Sequence, residues 1–443
     1  MNPRRWRFPT MRFVEMALSR EAITMANNIL TPSMITRYSI RMFLNTNYFL
    51  QNISRQFESQ FGIEGARIGA QLRIRYANQY TVTDGPGISI QDTTEQQFLL
   101  TVATQRHVDV AFTSAETTLD IDDYMERIVL PRVNALAGNV AIQVMANTAT
   151  AVRNISANVD SNNNILPVND APFALARAIL EENSAPNFGE MGMRKVVLAP
   201  RSDTRVQLAL RGLFNPVDSI SKQYNTAMMY EALQFRWFED QSVVNHTTGS
   251  ATTATVNGAS QTGQVLAISA LSGTLNAGDI ITIAGVNGVN RVNYQSLGTV
   301  AQFVLTQNAA SGATALNIYP PIVPPANSTP YAGLPYTPQQ YQTVTASPAN
   351  SAVITPFANA SVTYRENLAY CPDAITLVVA PLWIPPNEKG VIAAARHNYD
   401  SLSMRSLVCY EPTTDQPIDR LDILFGSGVP RPEWIVQCAD SVP

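Results

Sequence analysis

Between Gln241 and Tyr364 the chain carries only two charged side chains, Asp279 and Arg291. A stretch this long and this poor in charge has no solvated, ion-paired helix faces, and its apolar runs are short: Val265 to Ile268, Ile280 to Ala284 and Gln302 to Thr306. Gly, Asn and Pro separate them, the pattern of a small β-sandwich or barrel. Pro320 to Pro338 reads as a proline-rich loop and Ala346 to Ala360 as the return crossing. Gly285-Val286-Asn287-Gly288 reads as a turn, since it lacks the G-x-G-x-x-G spacing of a dinucleotide site. Mixed charge precedes Gln241 and resumes at Arg365, so the β unit is inserted into a host domain and not appended to it.

The rest of the chain has room for that host. At roughly 150 residues per domain, 443 residues make two or three folded units. Apolar residues, at 45%, suffice for a sizeable core; charged ones, at 14%, leave a surface of Asn, Gln, Ser and Thr that repels copies of itself weakly. A formal charge of −4 disfavours dedicated nucleic-acid binding. The longest apolar runs are strand-sized, so no membrane is expected. Cys371, Cys409 and Cys438, odd in number and far apart, read as reduced, buried thiols.

From Ala66 to Tyr76 the residues alternate: Ile68, Ala70, Leu72, Ile74 and Tyr76 lie on one face, and Arg67, Gln71, Arg73 and Arg75 on the other. Asp84-Gly85-Pro86-Gly87 is a turn signal, and Val108, Val110 and Phe112 read as the return, giving a two-stranded excursion over 66–114. Such a ribbon is marginal alone and needs protein to lie against, in its own chain or a neighbour. Asp120, Asp122 and Asp123 open a helix that Pro131 interrupts or restarts. Beyond it Val133, Leu136, Ala137, Val140, Ala141, Val144 and Met145 keep helical spacing. A polar loop over 154–169, a helix near Leu175 to Glu182, a buried strand from Lys195 to Ala199 and a helix from Asp203 to Leu213 follow, so the host is α/β or α+β. Arg4, Arg5, Arg7, Arg12 and Arg20 set residues 1–24 apart as a basic arm or an upstream start before Met25.

No catalytic constellation emerges. His107 and Asp109, two apart on a strand, have the spacing of half a metal site but no neighbouring ligands, while His246 and His397 are isolated. Glu181 and Glu182 are adjacent on a helix, so their carboxylates diverge. Neither a cofactor nor an enzymatic activity is expected. The Arg67, Arg73, Arg75 stripe suits carboxylates on a neighbouring protein better than nucleic acid, because no aromatics interleave it.

Thr101 to Ala137 (TVATQRHVDVAFTSAETTLDIDDYMERIVLPRVNALA) resembles the return strand of the extended loop and the start of the spine helix in tailed-phage major capsid proteins of HK97-like fold. The branch is that of short-tailed phages whose coat carries an inserted β domain. MANNIL at Met25 to Leu30 resembles the usual start, and TLNAGDIITIAGVNGVN at Thr274 to Asn290 a signature of the insertion. ENLAYCPDAITLVVA at Glu366 to Ala380 and DQPIDRLDILFGSGVPRPEWIVQC at Asp415 to Cys438 resemble the closing strands, with their R-x-D-x-L-x-G and R-P-E pattern.

The resemblance implies an α+β HK97-like fold divided into an extension of unassigned role (1–24), N-terminal arm (25–65), E-loop hairpin (66–114), spine helix of the peripheral domain (115–160), axial and peripheral core (161–246), inserted barrel-like domain (247–353) and return strands (354–443). Its function would be a virion shell of hexamers and pentamers around double-stranded DNA, assembled in the host cytoplasm with scaffolding and portal proteins; decoration proteins are a further partner class. The inter-subunit contact candidates are Arg67, Arg73, Arg75, Asp84, Gly85, Gly87, Asp279 and Arg291. An encapsulin-like compartment for enzyme cargo, or a phage tail or adhesin protein, is the alternative.

Overall fold

This computed structural model describes residues 32–55, 71–76, 80, 82, 85–88, 90, 97–111, 125–187, 193–210, 231–325, 339–384, 391–413 and 416–442. Residues 1–24, Arg67, Asp84, the Asp120 to Asp123 helix opening and the later part of the proline-rich loop lie outside them.

Helix α1 (Pro32–Thr46) and the single turn α2 (Tyr48–Gln51) bury Ile35, Ile40, Phe43, Phe49 and Leu50 in the largest core. Strands β1 (Gln71–Arg75), β2 (Gln97–Thr101) and β3 (Thr104–Ala111) precede a π-helical turn (Met125–Val129) and the long helix α3 (Leu130–Ala149). All seven apolar residues of the anticipated stripe on α3 are buried. Pro131 stands in the first α-helical turn, where its missing N–H is harmless, so it restarts the helix after the wider turn. Residues Glu126–Ala149 are long and apolar enough to cross a bilayer, yet half of that stretch is buried inside the protein.

Two sheets enclose α3. The first contains β4 (Asn154–Ala157), β5 (Lys195–Leu198), β6 (Glu231–Ala232), β7 (Phe235–Glu239), β8 (Asn245–Thr247), β15 (Thr363–Tyr370) and β20 (Ile435–Ser441), in the order β4-β20-β15-β5-β7-β6 with β8 also on β15. Helices α4 (Ala171–Glu182) and α5 (Pro200–Leu210) cover its outer face through Phe173, Leu180 and Val206. The second sheet runs β16 (Thr376–Ala380), β19 (Gln416–Gly428), β18 (Leu402–Glu411), β17 (Val391–Tyr399), with β3 also on β19.

Two expectations need correction here. Residues 154–157 are strand β4, parallel to β20, not loop. Their polarity is absorbed by hydrogen bonds: Asn154 Nδ2 donates to the carbonyls of Glu433 and Ile435 at 3.3 and 3.1 Å, and Ser156 Oγ to that of Pro172 at 2.9 Å. Nor is 104–111 the return limb of the hairpin; β1 pairs with β2, while β3 belongs to the second sheet along β19.

The charge-poor segment forms its own sheet from β9 (Ala254–Thr255), β10 (Gly263–Ala267), β11 (Ile280–Val289), β12 (Ser296–Leu305), β13 (Ala315–Ile322) and β14 (Val353–Pro356), ordered β10-β13-β12-β11-β14-β9. A bridge between Val256 and Ile268, with Asn257 N donating to Ala267 O at 3.0 Å and Ser269 N to Thr255 O at 2.9 Å, joins the two edges into a barrel. Leu266, Ile281, Ile283, Val286, Phe303 and Ile318 fill it. Gly285 to Gly288 is not a turn between strands but an irregular stretch within β11, where Gly285 takes φ +79° and shifts the register. Pro320 and Pro321 likewise belong to the end of β13, beside its last ladder partners rather than in the loop.

Candidate assembly interfaces

The hairpin base shows how alternation is used. Leu72 faces Leu100 and Ile74 faces Phe98 across the ladder. Leu72, Phe98 and Leu100 pack on Val102, Val378, Ala380, Leu382 and Leu424 of the same chain, and Ile74 is buried as well. The protein that the ribbon needs to lie against is supplied by its own chain at the base. Two glycines of β19, two residues apart and so on one face, make room for it. A Cβ on Gly426 would lie 2.4 Å from Thr101 O, and one on Gly428 would lie 2.6 Å from Phe98 Cε1.

The other face of the hairpin stays open. Arg73 and Arg75 are exposed there, opposite Leu99 and Gln97. Farther out Val82, Ile88 and Ile90 are 95%, 94% and 89% exposed, and Tyr80 is exposed as well. Gly85 has φ +96°, a conformation that favours glycine, whereas Gly87 has open space around its Cβ position.

A second candidate is the root of the barrel. The chain enters through β8 and leaves through β15, which pair antiparallel: Thr247 with Thr363, His246 with Tyr364 and Asn245 with Arg365. Asp279, 2% exposed, lies 2.7 Å from His246 Nε2 and accepts from Gly249 N at 3.0 Å and Asn276 N at 2.7 Å. Arg291 Nη1 reaches Glu433 Oε1 at 3.5 Å. Both charges of the barrel thus bind groups within their own chain, and Asp279 has no exposed face to offer another. Gln302 adds a two-way link, accepting from Ile155 N at 2.9 Å and donating to Ile155 O at 3.1 Å. Ile280 and Val304 of the barrel pack with Ile155, Ile165, Tyr364 and Ala439 of the body.

The closing pattern acquires physical roles. Asp422, whose side chain is fully buried, accepts from Arg405 Nε at 3.0 Å and Nη2 at 2.5 Å, and from Gln105 Nε2 at 3.0 Å. Arg420 lies 3.5 Å from Asp109, itself 3.1 Å from His107 on an exposed strand face. Leu424 and Gly426 shape the hairpin groove, and Arg431 stacks between the rings of Tyr76 and Trp434 at 5.3 and 4.7 Å. Helical spacing gave no hint of Arg132: it is buried in the α3 stripe, 2.6 Å from Asp419 Oδ2, and also donates to the carbonyls of Val108 and Asp419. Among the described residues no cluster of three His, Cys, Asp or Glu is arranged to hold a metal.

No curated protein matches the chain. Among solved structures it is similar to that of Mycobacterium phage Che8, at 12% identity and TM-score 0.43 over 88% of this chain and 90% of that one. It is also similar to the capsid of Ralstonia phage GP4, at 7% identity and TM-score 0.43 over 90% and 91%. The CUS-3 coat protein I-domain is 24% identical over 24% of this chain and 94% of its own, with TM-score 0.18. The family described as "P22 coat protein - gene protein 5" matches residues 83–438. The mixed α+β architecture is consistent with the HK97-like fold. Because that family match takes in most of the molecule, from the hairpin tip through both sheets to the last strand, the chain belongs to the P22 coat protein family and is a structural, non-enzymatic phage major capsid protein that forms a shell.

Proposed function

We propose that the shell is icosahedral, is built from hexamers and pentamers, and encloses double-stranded DNA, with the hairpin as the arm that each subunit lays on the next. The observation that carries this reading is the division of the hairpin into two zones. Its base is buried on its own chain, while Val82, Ile88 and Ile90 are almost wholly exposed. Apolar side chains held out on a ribbon whose root is fixed suit a second copy of the same chain, which buries them only on assembly. The stretch 247–353 is the inserted domain in this reading, and 25–65 the separate N-terminal arm. Scaffolding and portal proteins are the assembly partners, and assembly takes place in the host cytoplasm.

The test is co-expression of the full chain with a scaffolding protein, followed by sedimentation and negative-stain microscopy. Closed particles are expected from the unaltered chain. Ile88→Asp with Ile90→Asp should leave the soluble subunit folded and abolish particles. Normal particle yield from that variant would reject the arm.

A further inference from the structure

The barrel root holds a group that the shell reading leaves unused. Glu366 on β15 is 2% exposed and its Oε1 has no hydrogen-bond partner among the described residues. An ionised carboxylate in that position would be a poor fit, because nothing donates to that oxygen. On the same face of the strand, two residues away, is Tyr364, whose ring centroid is 5.5 Å from that of His246. His246 in turn meets Asp279, the residue that ties the start of β11 to Gly249 and Asn276. The imidazole is packed under Gly278, where an added Cβ would be 3.1 Å from Cε1 and 3.6 Å from the Cα of Thr150 at the end of α3. Strands β8, β11 and β15 and the end of α3 therefore meet at this small polar group.

We propose that His246, Asp279 and Glu366 form a proton-operated clamp between barrel and body, closed when Glu366 and His246 both carry a proton and loosened when both have lost it. With both protons bound, the cluster holds one ion pair, His246 with Asp279, and a neutral Glu366. With both lost, two carboxylates share a buried site with a neutral imidazole. Among the described residues, the facing strand β20 offers no counter-charge on that face. Opposite Glu366 on β20 is Ala439, while Arg365 and Asp440 turn to the other side, where Asp440 pairs with Arg365 and Arg205. Tyr364 is a further ionisable neighbour, and burial holds its phenol protonated, well above its usual value.

The titration directions agree with this geometry. Burial pushes the Glu366 carboxyl up to about 7, against a smaller opposing pull from His246. Burial disfavours a charged His246, but the hydrogen bond to Asp279 and the fields of Glu366 and Asp279 outweigh it and leave the ring above its usual value. The Glu366 proton therefore leaves near pH 7, and His246 loses its own above the usual imidazole value.

Hydrogen exchange on the unassembled full-length chain reads the clamp directly, because the amides of Gly249 and Asn276 both donate to Asp279. Between about pH 6 and about pH 8.5, protection at these amides should fall about tenfold or more in the wild type relative to Glu366→Gln, compared at each pH so that the chemical exchange rate cancels. If the two proteins track one another across that range, the clamp is refuted. Infrared spectroscopy of the wild type supplies a measurement that needs no variant. A protonated buried carboxyl should be present near pH 6 and bleach by about pH 8.5; its absence near pH 6 would equally overturn the proposal.

Discussion

Placing a methyl group on Gly426 tests whether the hairpin is seated in its own chain or merely rests there. The added Cβ would meet Thr101 O at 2.4 Å, where ordinary contact begins at 3.4 Å, so β2 must retreat by about 1 Å. The obstacle is backbone, which no rotamer change removes. Overpacking of this kind costs about 1–3 kcal/mol, and the unfolded chain of an alanine variant returns up to about 1 kcal/mol, leaving roughly 2 kcal/mol of net destabilisation. That is less than the roughly 4 kcal/mol held by the buried Leu100 and Ile74, so the hairpin should stay docked in a shifted seat instead of peeling away. Gly428→Ala meets the ring of Phe98 at 2.6 Å, a half-buried side chain that can swing, and should cost about 1 kcal/mol or less. Gly87→Ala at the tip meets nothing within 4 Å and should be within about 0.5 kcal/mol of the wild type. Urea denaturation of the unassembled subunit ranks the three variants, and hydrogen exchange at residues 97–101 reports the seat. Should Gly426→Ala prove as benign as Gly87→Ala, or Gly428→Ala the costlier of the two groove variants, the groove has been misread.

Arg132→Ala removes the guanidinium paired with the buried carboxylate of Asp419, to which Ser406 Oγ still donates at 3.3 Å, and should cost about 3–5 kcal/mol in the same denaturation experiment, whereas replacing the pair together should recover part of that loss. Gln302→Ala removes both hydrogen bonds to Ile155, and limited proteolysis should cut the connection between barrel and body, near residues 357–362, faster than in the wild type. Glu366 holds its proton more tightly when folded, about 7 against an ordinary 4.5. The stability it lends is complete below the lower value and lost as pH rises through the upper one, a change of about 3 kcal/mol, and His246 acts in the same direction. Urea midpoints of the wild type should thus fall from about pH 5 to about pH 8.5, and those of Glu366→Gln should fall less. Replacing Gly85 and Gly87 with bulkier residues should lower particle yield more than subunit folding, measured by sedimentation beside circular dichroism.

Periodicity carried most of what was legible in the sequence. The seven apolar positions on α3 and the alternating faces of β1 followed from spacing alone, because one side of each element meets a core. Charge depletion likewise marked the barrel, whose interior is apolar. Partner choice was not legible in this way. Val108 and Val110 alternate as a hairpin limb would, and only the three-dimensional path shows that they align with β19 and that Gln97–Thr101 takes the place opposite β1. Polar residues in β4 looked like loop because hydrogen bonds formed across nearly 280 positions satisfy them. His246 looked isolated for the same reason: its partners lie 33 and 120 residues onward, and only the pairing of β8 with β15 brings them together. Gly426 closes the R-x-D-x-L-x-G pattern and Gly428 lies two residues beyond it, but a glycine in a strand does not announce which neighbour needs the space.

Because the entering and leaving strands of the barrel are hydrogen-bonded to each other, its two attachment points are one strand spacing apart, about 5 Å. A doorway that narrow is indifferent to what hangs beyond it. The sheet to which β15 belongs experiences the same fixed gap whether the intervening stretch is a tight turn or a whole module, so loops of the guest can lengthen or shorten without deforming the host. What the host does notice is the threshold itself, where a carboxyl, an imidazole and a glycine meet, and alterations at those few positions will be felt on both sides of it at once.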